Sequence, residues 1–165
     1  MGVRRIRTDE WPALRDIRLR ALRDAPYAFG STFEEESART DDRWIDWAAD
    51  GSVGGRGLTV VADDAGTWIG LARGAPHEAF PGEAGLFSMW VDPTRRSRGV
   101  GRELVDAVVT WSIGERFPAV RLLVAAANPA AIRLYERCGF VDTGVRAPLR
   151  EGVHELTIEM RRTLP

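Results

Sequence analysis

The sequence predicts a mixed α/β fold with the element order β-α-α-β-β-β-α-β-α-β-β, a mixed central sheet carrying helices on both faces. Three observations predict it. Apolar residues recur at helical spacing in four stretches, while seven short β-rich runs are separated by turn signals. The run AVRLLVAA, residues 119 to 126, is almost continuously apolar, as expected for a strand covered on both faces. Strand 85 to 91, helix 99 to 114 and strand 119 to 126 follow one another as a parallel crossover.

Val3 to Thr8 reads as a short strand, after which Thr8, Asp9 and Glu10 supply a cap and an acidic first turn. Trp11, Leu14, Ile17, Ala21 and Leu22 then mark an amphipathic helix that runs up to Pro26. Residues 31 to 40 are too polar to assign. Asp41 to Ala49, with Trp44, Trp47 and Ala48 on one face, forms a second helix ended by Gly51, and GSVGGRG (51 to 57) is a loop. LTVVAD (58 to 63) and TWIGLARG (67 to 74) flank the turn Asp64-Ala65-Gly66 as a hairpin. Gly85 to Val91 is the next strand, ending at Asp92-Pro93. Helix 99 to 114 buries Val100, Leu104, Ala107, Val108 and Trp111. Asn128 to Arg137 is the last helix, stopped by Gly139, and Phe140 to Arg146 with Val153 to Met160 closes the chain as a hairpin.

At 165 residues the chain is expected to be one domain, 1 to 165. No apolar run approaches the ~20 residues of a membrane span. The opening Met1-Gly2 departs from a myristoylation signal at Ile6 and no signal-peptide core follows, so the cytoplasm is the expected address. A single cysteine, Cys138, excludes an internal disulfide, and with His77 and His154 beside it no metal-ligand spacing exists, so no metal is expected. The net charge is -1, and all 23 basic residues are arginine.

The residues 95 to 101, RRSRGVG, lie between a strand and a helix. Free N–H groups and the positive end of the helix dipole meet there, and residues 95 to 102 hold four arginines (Arg95, Arg96, Arg98, Arg102) and no acidic residue. Gly99 and Gly101 leave room for an anion. A Walker loop would need a lysine, which the chain lacks, and a dinucleotide fingerprint would need glycine where Leu104 stands.

What remains, Arg96-x-x-Gly99-x-Gly101 within FSMWVDPTRRSRGVGREL, resembles the Q/R-x-x-G-x-G/A signature of the GNAT superfamily of coenzyme A dependent N-acyltransferases. Downstream, Asn128, Ala131, Tyr135, Gly139 and Phe140 match that family's N-x-x-A-x-x-x-Y-x-x-x-G-F pattern. The resemblance implies a GNAT-like fold over essentially the whole chain, acetyl-CoA as cosubstrate, and direct acetyl transfer to a primary amine in a ternary complex. It implies that backbone groups of Met89 and Val91 hold the pantetheine, that Arg96, Arg98, Gly99, Val100, Gly101 and Arg102 form the pyrophosphate loop, and that Asn128 contacts the pantetheine. Asn128 followed by Pro129 also reads as a helix cap, and the two roles are compatible.

By the same resemblance Tyr135 is the catalytic group, its phenol serving the departing thiolate. The positions that carry the base carboxylate in histone-modifying and ribosomal-protein members align with Gly85 and Leu123, neither of which is acidic. Glu83 is the expected substitute base; a solvated strand-end role for it and a water chain as base both stay open. Residues 31 to 42 hold Glu34, Glu35, Glu36, Asp41 and Asp42 against Arg39 alone, a local charge of -4. In the family this stretch borders the acceptor entrance, so Glu34, Glu35 and Glu36 are expected to hold a cationic acceptor, a small amine or a protein N-terminus. Two other readings stand beside this one: a non-catalytic acyl-CoA sensor of the same fold, and a nucleic-acid binder using Arg95 to Arg102, which the charge of -1 disfavours. No membrane partner is expected, and a homodimer stays open.

Overall fold

The computed structural model describes all residues from Met1 to Pro165. Its strands are β1 (Gly2–Arg5), β2 (Leu58–Asp64), β3 (Thr67–Pro76), β4 (Ala84–Val91), β5 (Ala119–Ala125), β6 (Val141–Pro148) and β7 (Leu156–Thr163). Its helices are α1 (Trp11–Asp24), α2 (Phe33–Ser37), α3 (Asp41–Gly51), α4 (Val100–Gly114) and α5 (Pro129–Arg137). The strands form one sheet in the order β1-β2-β3-β4-β5-β7-β6. Only β4 and β5 pair in parallel, as the crossover through α4 requires. None of the helices is long and apolar enough to cross a membrane.

Alternation along the central strands sorts the core into two layers. In β2, Leu58, Val60 and Ala62 face α4, whereas Val61 faces α1 and α3. On the first side Leu104, Val105 and Val108 of α4 pack with Tyr135, Cys138 and Phe140. On the second, Leu14, Ile17 and Leu22 of α1 pack with Trp44, Trp47, Trp68 and Trp90. Both sheet faces are covered, as the sequence predicts.

Several boundaries differ from the expected ones, each for a local reason. β1 stops at Arg5 because Thr8–Glu10 winds into a 3₁₀ turn, where Glu10 Oε2 accepts the Arg7 N–H at 2.8 Å. The unassigned acidic stretch contains α2, opened by Thr32, whose hydroxyl accepts the Glu35 N–H at 3.2 Å while the Glu35 carboxylate accepts the Thr32 N–H. Ala107 and Trp111 are only half-buried; Val105, Val109 and Ser112 take the fully buried positions of α4. β7 begins three residues later than expected because the chain is still leaving a turn, the Val153 N–H bonding to the Arg150 carbonyl at 3.4 Å, and its buried positions include the polar Thr157 and Glu159. Thr157 Oγ1 donates to the Ala147 carbonyl at 3.0 Å and Glu159 accepts from Arg121 at 2.7 Å, so neither is left unsatisfied.

Candidate active site

The parallel ladder between β4 and β5 consists of two residue pairs, Ala84 with Val120 and Gly85 with Arg121. Beyond them the strands part. The cause is a bulge in β4: Leu71 pairs with Trp90 and Arg73 with Phe87, so Ala72 alone faces both Ser88 and Met89. Ser88 takes the left-handed conformation at φ 54° to accommodate the extra residue. On the far edge β5 is paired with β7 along its whole length, so it cannot follow β4.

The opening is a cleft of about 1020 Å³ walled by residues 86–91 of β4 and 122–125 of β5. The Asp92 N–H bonds to the Ile69 carbonyl at 2.9 Å, so strand alternation turns the N–H and C=O of Val91, and two residues earlier those of Met89, toward the gap. Unpaired strand edges of this kind accept an extended ligand as an added strand. Phe87 and Leu123 stand 39% and 56% exposed on the two walls, apolar surface that a ligand would cover.

At one end of the cleft is the loop before α4. Gly99 caps the helix in the left-handed conformation at φ 84°, and no side chain competes for the first-turn N–H groups of Val100, Gly101 and Arg102. The two glycines divide the work differently from the sequence reading. A Cβ on Gly99 would meet open space, so only its φ demands glycine; a Cβ on Gly101 would stand 3.0 Å from Leu134 Cδ2 and 3.4 Å from Met89 Cε. Gly101 therefore lets α4 approach α5 and β4 at the cleft wall. Val100 is buried in the core and offers only its backbone.

The arginines of the loop are not equivalent. Arg95 pairs with Asp64 at 2.8 Å. Arg96 reaches Asp24 at 2.7 Å and donates from Nε to the Val91 carbonyl at 2.9 Å, so it fastens the loop to α1 and β4 and is not free for a phosphate. Arg98 is exposed without an ion-pair partner, and Arg102 is held only at 3.4 Å by the exposed Asp106. Arg133 and Arg137 of α5, which the motif did not single out, also line the cleft. The same pairings take Arg95 and Arg96 out of the basic cluster that a nucleic-acid reading would use.

α5 brings Tyr135 and Asn128 to the wall of the cleft. Asn128 Oδ1 accepts the Ala131 N–H at 3.1 Å, which spends the acceptor on the cap and leaves the side-chain amide donor for a ligand. Tyr135 is 6% exposed, its ring packed edge-on against Phe140, and its hydroxyl neither bonds to the protein nor is sealed from the cleft. Burial pushes the phenol well above its ordinary pKa, so it stays protonated and is a donor throughout the physiological range. Burial likewise raises the neighbouring Cys138 thiol.

Glu83 does not line the cleft. Arg161 grips it at 2.8 Å and Arg121 at 2.6 Å, and these hydrogen bonds, Arg161 first, hold its carboxyl below the usual range. A carboxylate so stabilised in its charged form is a poor proton acceptor, so its place in the structure does not suit the expected base role. A side chain at position 85 would have to displace the Phe87 ring, which stands where its Cβ would be.

The acidic entrance is also built otherwise than expected. Glu34 and Glu35 stand outside the cleft, Glu35 serving the helix cap. Glu36 turns inward, 2% exposed, and is bound by Arg18 at 2.8 Å with Arg39 at 3.4 Å. It is the only acidic residue lining the cleft, against Arg18, Arg39, Arg73, Arg96, Arg102, Arg133 and Arg137. Arg18 had a sequence signal: it occupies the inward stripe of α1 defined by Leu14, Ile17, Ala21 and Leu22, where an unpaired charge would be untenable.

A profile described as "Acetyltransferase (GNAT) family" matches residues 11–140. The chain is 33% identical over 136 residues to a protein named mycothiol acetyltransferase from Salinispora tropica, the match covering 80% of this chain and 40% of that one. It is 32% identical over 155 residues to one of the same name from Propionibacterium freudenreichii, covering 90% and 46%. The chain thus spans less than half the length of the curated relatives it matches. Among solved structures, the GCN5-related N-acetyltransferase from Kribbella flavida is 26% identical with a TM-score of 0.74, covering 99% of this chain and 97% of that one. The putative acetyltransferase yncA from Salmonella typhimurium, solved with acetyl-CoA, is 20% identical with a TM-score of 0.81, covering 100% and 94%, a likeness of fold.

Proposed function

The chain belongs to the acetyltransferase (GNAT) family, and from that premise we propose that it transfers an acetyl group from acetyl-CoA to a primary amine by direct attack, both bound in one cleft. The observation that carries this reading is the parting of β4 from β5, with the N-terminus of α4 at one end of the gap and Tyr135 on its wall. The residues fit the coenzyme: the backbone edge of Met89 and the Val91 N–H suit the amides of a pantetheine arm, the Val91 carbonyl already accepting from Arg96, and the first-turn N–H groups beyond Gly99, with Arg98 and Arg102, suit a pyrophosphate. Bound acetyl-CoA would supply the activated thioester.

Asn128 orients the arm through its unspent amide donor, and Tyr135 donates its hydroxyl proton in a hydrogen bond toward the sulfur position as negative charge develops there. The arginine-rich lining acts on the acceptor: an ammonium among like charges loses its proton at a lower pH than in water, so the reactive neutral amine forms without a dedicated carboxylate, and water carries the proton out of the open cleft. The mycothiol in the relatives' names belongs to proteins about twice as long, of which this chain spans less than half.

Acetyl-CoA at a hundredfold excess over its dissociation constant should stabilise the protein by ~2.7 kcal/mol, a rise of several degrees in thermal midpoint, and thiol release should require an added amine. No midpoint shift at millimolar acetyl-CoA overturns the reading, and a shift without amine-dependent thiol release would instead favour a sensor.

A further inference from the structure

The inner half of the cleft, away from the α4 loop, holds more positive charge than the protein itself neutralises. Arg18 is 5% exposed, bonded to Glu36 through Nε at 3.1 Å and Nη2 at 2.8 Å, and faces the rings of Phe29 at 4.6 Å and Trp47 at 5.8 Å. Its Nη1 is buried without an acceptor. Arg73 lies 5.6 Å from the same Trp47 ring, gives Nη2 to Asp50 at 2.9 Å, and leaves its Nε buried without an acceptor. Arg39 shares Glu36 with Arg18, so three guanidinium groups in the lining meet one lining carboxylate.

Buried charged donors without acceptors are costly unless something at the site supplies one. Glu36 is already committed to holding Arg18 and Arg39, and Asp50 to Arg73. The Phe29 and Trp47 rings lie against the Arg18 guanidinium and Trp47 against that of Arg73, a setting in which arginine recognises a carboxylate.

We propose that the acceptor is a small amine that also bears a carboxylate, an amino-acid-like molecule whose carboxylate is received by Arg18 and Arg73 while its amine points to the β4–β5 gap. This rests on the acetyl-transfer reading and names its substrate class. It replaces the cationic acceptor expected from the acidic segment, since Glu34 and Glu35 lie outside the cleft and Glu36 is neutralised within it.

The test is thiol release from acetyl-CoA with matched pairs: the common L-amino acids, each beside its carboxamide and its decarboxylated amine. At least one acid should exceed both of its partners tenfold or more in kcat/KM, chiefly through KM. This holds although the carboxamide's amine is the more easily deprotonated. Arg73→Gln should shrink that acid-to-amide ratio at least tenfold; if the variant does not fold, the ratio in the unaltered protein decides. Carboxamides or decarboxylated amines that equal or exceed every acid would overturn this proposal and leave acetyl transfer standing. No thiol release with any amine, while acetyl-CoA still raises the thermal midpoint, would overturn acetyl transfer and this proposal with it.

Discussion

Replacing Tyr135 by phenylalanine removes one oxygen and nothing else. That hydroxyl has no protein partner, so its loss orphans no group, and the ring keeps its place 6.0 Å from Phe140. Stability should therefore change by less than about 0.5 kcal/mol. Turnover should not be spared. An ordinary phenol near ~10 facing a thiolate whose acid is near ~8.5 makes complete proton transfer uphill by about 2 kcal/mol, and burial raises the phenol further. What Tyr135 can offer is a hydrogen bond to charge developing on sulfur, and donors of that kind contribute ~2.7–4 kcal/mol, or 10²- to 10³-fold in kcat. Initial rates of thiol release at saturating acetyl-CoA, set beside thermal midpoints and acetyl-CoA binding, measure all three quantities. A folded variant with kcat within about threefold of the parent refutes the role, and one that loses affinity with kcat intact makes Tyr135 a packing residue.

Three further substitutions probe the frame of the site. Glu83→Gln should leave kcat and its pH profile near those of the parent but cost roughly 1–3 kcal/mol, because Arg121 and Arg161 lose a shared partner. The Glu83 carboxyl is depressed in the folded protein, so its contribution is present above the unfolded value near ~4.3 and is lost as pH falls through the lower folded value; acid unfolding of the variant should flatten in that window. A tenfold fall in kcat would restore Glu83 as the base. Gly101→Val should weaken acetyl-CoA at least tenfold, ~1.4 kcal/mol, because its branches press on Leu134 and Met89 at the cleft wall. Gly99→Ala should instead cost about 1–2 kcal/mol of stability through its left-handed backbone. Equal coenzyme affinities for the two folded variants would contradict this division.

The element order, the crossover and the two motif segments were legible because each rests on contiguous residues: an apolar run, a glycine-opened helix, an Asn-Pro start. The groups that decide the site's charge were not. Glu83 is gripped from residues 38 and 78 positions away, and Glu36 by an arginine 18 positions back. Local charge counting could treat these carboxylates only as solvated, whereas the fold consumes them in pairs. Acidic sequence thus produced a basic cleft. Arg18 was the one legible warning, a charge set in an apolar stripe.

Two strand edges facing each other across a gap would ordinarily zip together. Ser88 wedges them apart by putting β4 out of step with its neighbours, at a cost of about 1–3 kcal/mol in backbone strain. Deleting that residue would relieve the strain and leave both arms of β4 in register, Phe87 still opposite Arg73, Met89 opposite Ala72 and Trp90 opposite Leu71, so Trp90 would stay under α1. A one-residue deletion therefore removes the wedge while keeping the hydrophobic layers intact. In this chain the opening and the layering of the core are separable: one surplus residue sets the first, and the alternation on either side of it sets the second.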